Sequence, residues 1–177
     1  RKTGIISAVK DQGECGSCWT FGTTETIESY WAQKTGELTD LSEQQILDCT
    51  ANPNDCGGTG GCEGGTAKLA MNQLIKTGQT TEWMYPYISY FGSNYNCHFN
   101  ASLTRPLATL KSGILLPSNE REPMLEHVGN VGPLIINVDA SSWQNYESGV
   151  YNGCNQTNPT IDHVVQLIGY GHDSKAA

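Results

Sequence analysis

Gln12-Gly13-Glu14-Cys15-Gly16-Ser17-Cys18-Trp19 is the stretch on which the reading of this chain turns. It runs into a segment with Phe21, Ile27, Tyr30 and Trp31 at roughly helical spacing, closed by Lys34 and Gly36 as C-terminal charge and cap. This pattern predicts a largely buried helix from Cys18 toward Lys34. Thr23, Thr24 and Thr26 lower its intrinsic propensity, so tertiary packing must hold it. A thiol at such a helix start meets unpaired backbone N–H groups and the positive end of the macrodipole, and both favour the thiolate. Cys18 is therefore the candidate nucleophile.

Composition narrows the function classes. A chain of 177 residues suits a single cooperative unit spanning 1–177. Ten Lys and Arg against 18 Asp and Glu give a net charge of -8, which repels a phosphate backbone and argues against a nucleic-acid partner. No apolar run approaches the roughly 20 residues of a membrane span, and Arg1-Lys2-Thr3-Gly4 has no signal-peptide core, so a targeting segment is expected outside the chain. Seven cysteines, in no compact ligand cluster, favour disulfides and an oxidising compartment. The odd count requires one thiol that is free or paired elsewhere. Asn100-Ala101-Ser102 and Asn155-Gln156-Thr157 read as N-glycosylation acceptors and fit passage through a secretory route.

Outward from the opening stretch, Ser42-Glu43-Gln44-Gln45 reads as a capping box, with Ser42 bonding forward to the Gln45 amide and the Gln45 side chain reaching back. It predicts a short helix from Glu43 to about Cys49. The segment Asn52 to Gly65, dense in Gly, Pro, Asn and Cys, is a loop needing covalent staples. A third helix is expected from about Thr66 through Ile75, ending at Gly78. Further on, Leu107–Leu110, Gly113–Leu116, Leu134–Val138, Gly149–Tyr151 and His163–Gly171 read as short strands, with one helix near Glu120 to Val128. Helices first and strands later imply an α+β architecture, a helical lobe at about 10–105 packed on a β-rich lobe at about 106–177.

A thiol nucleophile needs a base and oxyanion donors. Of the four histidines, His163 heads the alternating run Val164 to Tyr170, so a rigid strand would aim it across the lobe interface. His98, His127 and His172 fall in loops or on a solvated helix face. Taken alone, Cys15 and Cys18 form a Cys-x-x-Cys that also suits a redox pair or half a zinc site. The chain lacks the βαβ pattern of the first and the second Cys/His pair of the second. No metal and no cofactor is called for.

The opening stretch resembles the active-site signature of the papain-like cysteine proteases, the cathepsin family. The separation of Cys18 and His163, 163 − 18 = 145 residues, falls within that family's window of roughly 130–150. The resemblance continues through Leu41 to Cys49, Gly61-Cys62-Glu63-Gly64-Gly65, Tyr85-Pro86-Tyr87, Gly132-Pro133, Asp162-His163 and Gly169-Tyr170-Gly171. It implies a two-lobe papain-like fold with the cleft between the lobes. It also implies Cys18 as nucleophile, His163 as acid/base partner, and Gln12 as oxyanion donor beside the Cys18 backbone N–H. Gly64 and Gly65 would line the cleft and pair with an extended substrate. Thr66, Ala67, Asn137 and Val164, with Asp162 nearby, would form the substrate pocket. Asn137 stands where relatives often carry a small apolar residue. By the same resemblance Cys15 pairs with Cys62 and Cys49 with Cys97, leaving Cys18 free, while Cys56 has no assigned partner.

The resemblance further implies protein or peptide substrates, a propeptide and cystatin-like inhibitors. Location in a lysosome, a similar acidic vacuole or the secreted space follows from it too. Relatives carry an Asn-Ser-Trp segment after the Gly-Tyr-Gly strand, and a cysteine that would pair with Cys154. The expectation is an incomplete catalytic domain, or a heavy chain cleaved near Asp173-Ser174-Lys175 with a light chain bonded through Cys154. Two other functions compete: a catalytically silent papain-like binding module, and a disulfide oxidoreductase using Cys15 and Cys18.

Overall fold

The computed structural model describes residues 4–172 and residue 174. Asp173 and Lys175, two of the three residues at the expected cleavage point, lie outside the described residues. The elements run α1 (Cys18–Thr35), α2 (Glu43–Cys49), α3 (Ala67–Thr77), α4 (Arg121–Asn130), β1 (Leu134–Val138) and β2 (His163–Leu167), with single 3-10 turns at Gly61–Glu63 and Trp143–Asn145. The strands pair antiparallel, with Asn137 opposite Val164 and Val138 opposite His163. The chain is α+β, as expected.

Helix α1 is the spine. Its interior face carries hydroxyls as well as hydrocarbons, and each buried hydroxyl finds a backbone partner one turn back: Thr20 on the Ser17 carbonyl, Thr23 on Trp19, Thr26 on Gly22. Thr24 instead accepts from the Gln79 amide at 2.8 Å. Polar residues of poor propensity thus sit inside a buried helix without orphaned hydroxyls. Gly36, in the left-handed conformation at φ 81°, ends the helix by returning its N–H to the Ala32 carbonyl.

The core forms where α1, α2 and α3 meet, around Trp19, Ile27, Leu41, Ile46, Ala70 and Leu74, and it continues to Val164 of β2 with Ile135 of β1 packed against it. Sheet and helix are in close contact: a methyl group at Gly22 would meet the Val164 side chain at 3.1 Å and the Val165 backbone at 3.4 Å. Two turns farther along, the Gln166 amide donates to the Glu25 carbonyl at 3.0 Å and to the Ser29 hydroxyl at 2.8 Å.

Three expectations need correction. The later part holds one two-stranded sheet among the described residues rather than five strands; the Leu107–Leu110 segment makes only an isolated bridge between Ala108 and Gln79. Gly113–Leu116 and Gly149–Tyr151 form no ladder, and Ile114, Leu115 and Val150 are exposed, so these runs lack a neighbour to pair with. The capping box is half formed. Ser42 accepts from the Gln45 N–H at 3.0 Å, but the buried Gln45 side chain turns away to donate to the Gly78 carbonyl and accept from the Thr80 N–H. The Ser42 N–H is satisfied by the Thr80 carbonyl instead. His127 is not on a solvated face: Tyr30 donates to the Pro133 carbonyl and accepts from His127 Nε2 at 2.9 Å, tying α4 to α1.

Candidate active site

Cys18 is the first residue of α1, and Ser17 before it gives no side-chain cap. The Ser17 hydroxyl is committed elsewhere. Tyr87 donates its hydroxyl to the Gln12 carbonyl at 2.8 Å and receives the Ser17 hydroxyl at 2.8 Å. The first-turn N–H groups of Cys18 and Trp19 are thereby left to face the Cys18 sulfur, and the Val164 N–H joins them from β2. Val164 follows His163, the first residue of β2.

The thiol is half-buried and free. Burial pushes its pKa above the ordinary value; the three N–H donors pull it down and the Asp162 charge adds to the rise. Desolvation outweighs the pull of the N–H groups at the helix start.

Staples fix the opening stretch. Cys15 is bonded to Cys62 and Cys49 to Cys97, as the resemblance implied, and Cys18, Cys56 and Cys154 are free. Beside the first bridge, the Gly16 N–H donates to the Cys62 carbonyl at 2.9 Å. Trp19, 1% exposed, donates its indole N–H to the Gly61 carbonyl. Its ring packs so close to Gly65 that a methyl there would lie 2.9 Å from ring carbons. Gly64 takes a positive φ of 97° and its carbonyl accepts from Gly60.

Gln12 Nε2 donates to the Cys15 carbonyl at 2.7 Å, which ties the amide to the opening stretch and leaves one of its two N–H groups over. Thr66 caps α3 by accepting from the Leu69 N–H, so Thr66 and Ala67 directly follow the glycines. Asn137 is exposed and sits opposite the buried Val164. Asp162 pairs its N–H with the Val138 carbonyl, and its carboxylate accepts from the Ala140 N–H at 2.8 Å, bracing the turn after β1. The other histidines are occupied elsewhere or remote: His98 stacks on Tyr85 with centroids 4.1 Å apart, His127 bonds Tyr30, and His172 is exposed.

Sequence reasoning missed the group beneath this stretch. Lys10 Nζ lies 2.6 Å from carboxylate oxygens of both Glu28 and Glu43. Glu28 also accepts from the Ser7 hydroxyl and the Leu41 N–H. Tyr87, quoted only as part of a motif, proves to join Ser17 to Gln12. Glu28, seven residues after Phe21 and one after Ile27, sits on the apolar face of α1; that misplacement was the available signal.

A free thiol at the start of a buried helix, with a histidine heading the strand packed on that helix in an α+β fold, is an arrangement that suits a thiol-dependent hydrolase. The Papain family cysteine protease pattern matches residues 1–177, and the chain belongs to that family. It is 39% identical over 175 residues to a cathepsin L-like peptidase of Aedes aegypti, covering 97% of this chain and 49% of that protein. With the cathepsin L of Sarcophaga peregrina it shares 38% over 176 residues, covering 98% and 49%. Among solved structures it resembles the digestive procathepsin L 3 of Tenebrio molitor larval midgut at 35% identity and a TM-score of 0.83, covering 98% of this chain and 54% of that one. Bromelain from Ananas comosus, solved with the E64 inhibitor, gives 32% identity and a TM-score of 0.83, covering 99% and 75%. The chain spans about half the length of the curated relatives it matches.

Proposed function

We propose that the full-length protein is a cysteine endopeptidase of cathepsin L-like character in which Cys18 is the nucleophile and His163 its acid/base partner. The observation that carries this reading is the free Cys18 thiol at the start of α1, with β2, headed by His163, packed against that helix at Gly22. Proton transfer from thiol to imidazole gives a thiolate-imidazolium pair. The thiolate attacks the scissile carbonyl, and the oxyanion is met by the Cys18 backbone N–H and by the remaining Gln12 Nε2–H. His163 then protonates the leaving amine, and water activated by the same imidazole hydrolyses the acyl-enzyme.

Gly64 and Gly65 are assigned to substrate backbone, with Thr66, Ala67, Asn137, Asp162 and Val164 around the neighbouring side-chain pocket. The bond between Cys15 and Cys62 supports this reading over the oxidoreductase, because it consumes the partner a redox Cys18 would need. Protein or peptide substrates, a propeptide and cystatin-like inhibitors are the expected partners, the propeptide supported by likeness to a procathepsin. A light chain would bond through Cys154, which is free. An acidic vacuole, lysosome or secretion is the expected location, supported by two disulfides.

The test is active-site titration of the full-length protein with an epoxysuccinyl inhibitor, followed by peptide mass mapping. Stoichiometric labelling at Cys18 with loss of peptidase activity is expected. Labelling at Cys56 or Cys154 alone would overturn the assignment, and a protein that stays unlabelled and inert would be the binding module.

A further inference from the structure

Three Asn-x-Ser/Thr triplets occur in the chain. They are Asn100-Ala101-Ser102, Asn155-Gln156-Thr157 and Asn158-Pro159-Thr160. Proline at the middle position bars the third from glycan transfer.

Asn100 is exposed, in a turn between the Cys49–Cys97 bridge and the buried Ala108. Its side-chain oxygen accepts from the Ser102 N–H at 2.9 Å, while its carbonyl accepts from Leu103 and Thr104. Asn155 is also exposed, and its side-chain oxygen accepts from the N–H groups of Thr157 and Asn158 at 3.0 and 3.1 Å. In both turns the amide oxygen faces inward, and Nδ2 has no hydrogen-bond partner among the described residues. An N-linked sugar replaces one hydrogen on Nδ2 and leaves Oδ1 in place. Both turns therefore survive the modification. Leu103, 75% exposed in the first turn, is apolar surface that a glycan at Asn100 would cover.

We propose that Asn100 and Asn155 each carry an N-linked glycan and that Asn158 carries none. The inference goes beyond the peptidase reading and rests on different residues. The donor is an oligosaccharide on a polyisoprenyl diphosphate. Nδ2 forms a bond to the sugar C1, the C1–O bond to the diphosphate breaks, polyisoprenyl diphosphate leaves, and Nδ2 gives up one proton. The two disulfides call for the oxidising compartment in which that transfer takes place.

The experiment uses the full-length protein, isolated from its own tissue and treated with peptide-N-glycosidase in heavy-oxygen water before peptide mapping. Conversion of Asn100 and Asn155 to heavy-oxygen-labelled Asp, with Asn158 unconverted, is expected. Failure at either acceptor overturns the proposal for that acceptor, and equal conversion at Asn158 overturns it for all by exposing spontaneous deamidation. In a eukaryotic secretory host, Asn100→Gln and Asn155→Gln should each remove one mobility step. Both variants should titrate at Cys18 as the parent does, so loss of the glycans and loss of the peptidase reading are separable.

Discussion

Cys18 gathers three backbone N–H groups and remains harder to ionise than an ordinary thiol, because burial outweighs them. In the proposed mechanism the His163 imidazole supplies the missing stabilisation by taking the proton. Cys18→Ser is expected to lose several orders of magnitude in kcat/KM on a fluorogenic peptide, since a hydroxyl is not ionised by the same pair. For Gln12→Ala a loss of roughly 10²–10³ is expected if its free N–H meets the oxyanion; a loss below about threefold would move that role elsewhere. Tyr87→Phe tests the support beneath. It strips the hydroxyl from between Ser17 and Gln12, and about 1–3 kcal/mol of stability should go with it in a denaturant melt.

At the scale of elements, the Gly65 contact with the Trp19 ring is a tight constraint near the site. Gly65→Ala should lower kcat/KM at least tenfold and cost about 1–3 kcal/mol by overpacking, read from peptide hydrolysis and a thermal melt. Local signals in the sequence predict the helices well: Ser42 as a cap, Thr66 as an approximate start, Gly36 and Gly78 as stops, each a property of a few adjacent residues. The strands were over-read for the same reason. The apolar run at Gly113–Leu116 is a local signal, but a strand exists only where another pairs with it, and the sequence does not name the partner. Gln45 shows the limit at a single side chain: its capping pattern is real, yet two backbone groups 33 and 35 residues away claim the amide. For the site, the cysteine and histidine were legible as a motif. The Val164 N–H and the Lys10 cluster were not, because each depends on which distant segments meet.

For the whole molecule, the buried charges set the response to pH. Burial pushes Glu43 up to about 8 and Glu25 up to about 6, despite Lys10 nearby, and it raises Glu82 as well. One ammonium faces more carboxyls than it can balance. A carboxyl whose folded pKa lies above its unfolded value near 4.5 stabilises the fold below that value, and the contribution is lost as pH rises through the folded pKa. The unfolding free energy should thus fall between about pH 4.5 and 8, by an amount on the order of a few kcal/mol, read as a falling melting temperature. Glu43→Gln should flatten that slope, and an unchanged slope would remove Glu43 from the account. The contact of β2 with α1 bears on how the molecule meets its ligands. The strand is moored to the helix at two points, Val164 at the thiol and Gln166 two turns on. A strand fastened twice along one helix travels with it, so in the proposed peptidase the nucleophile and its acid/base partner ride on a single piece, and selection among peptides is assigned to side chains rather than to movement of one against the other.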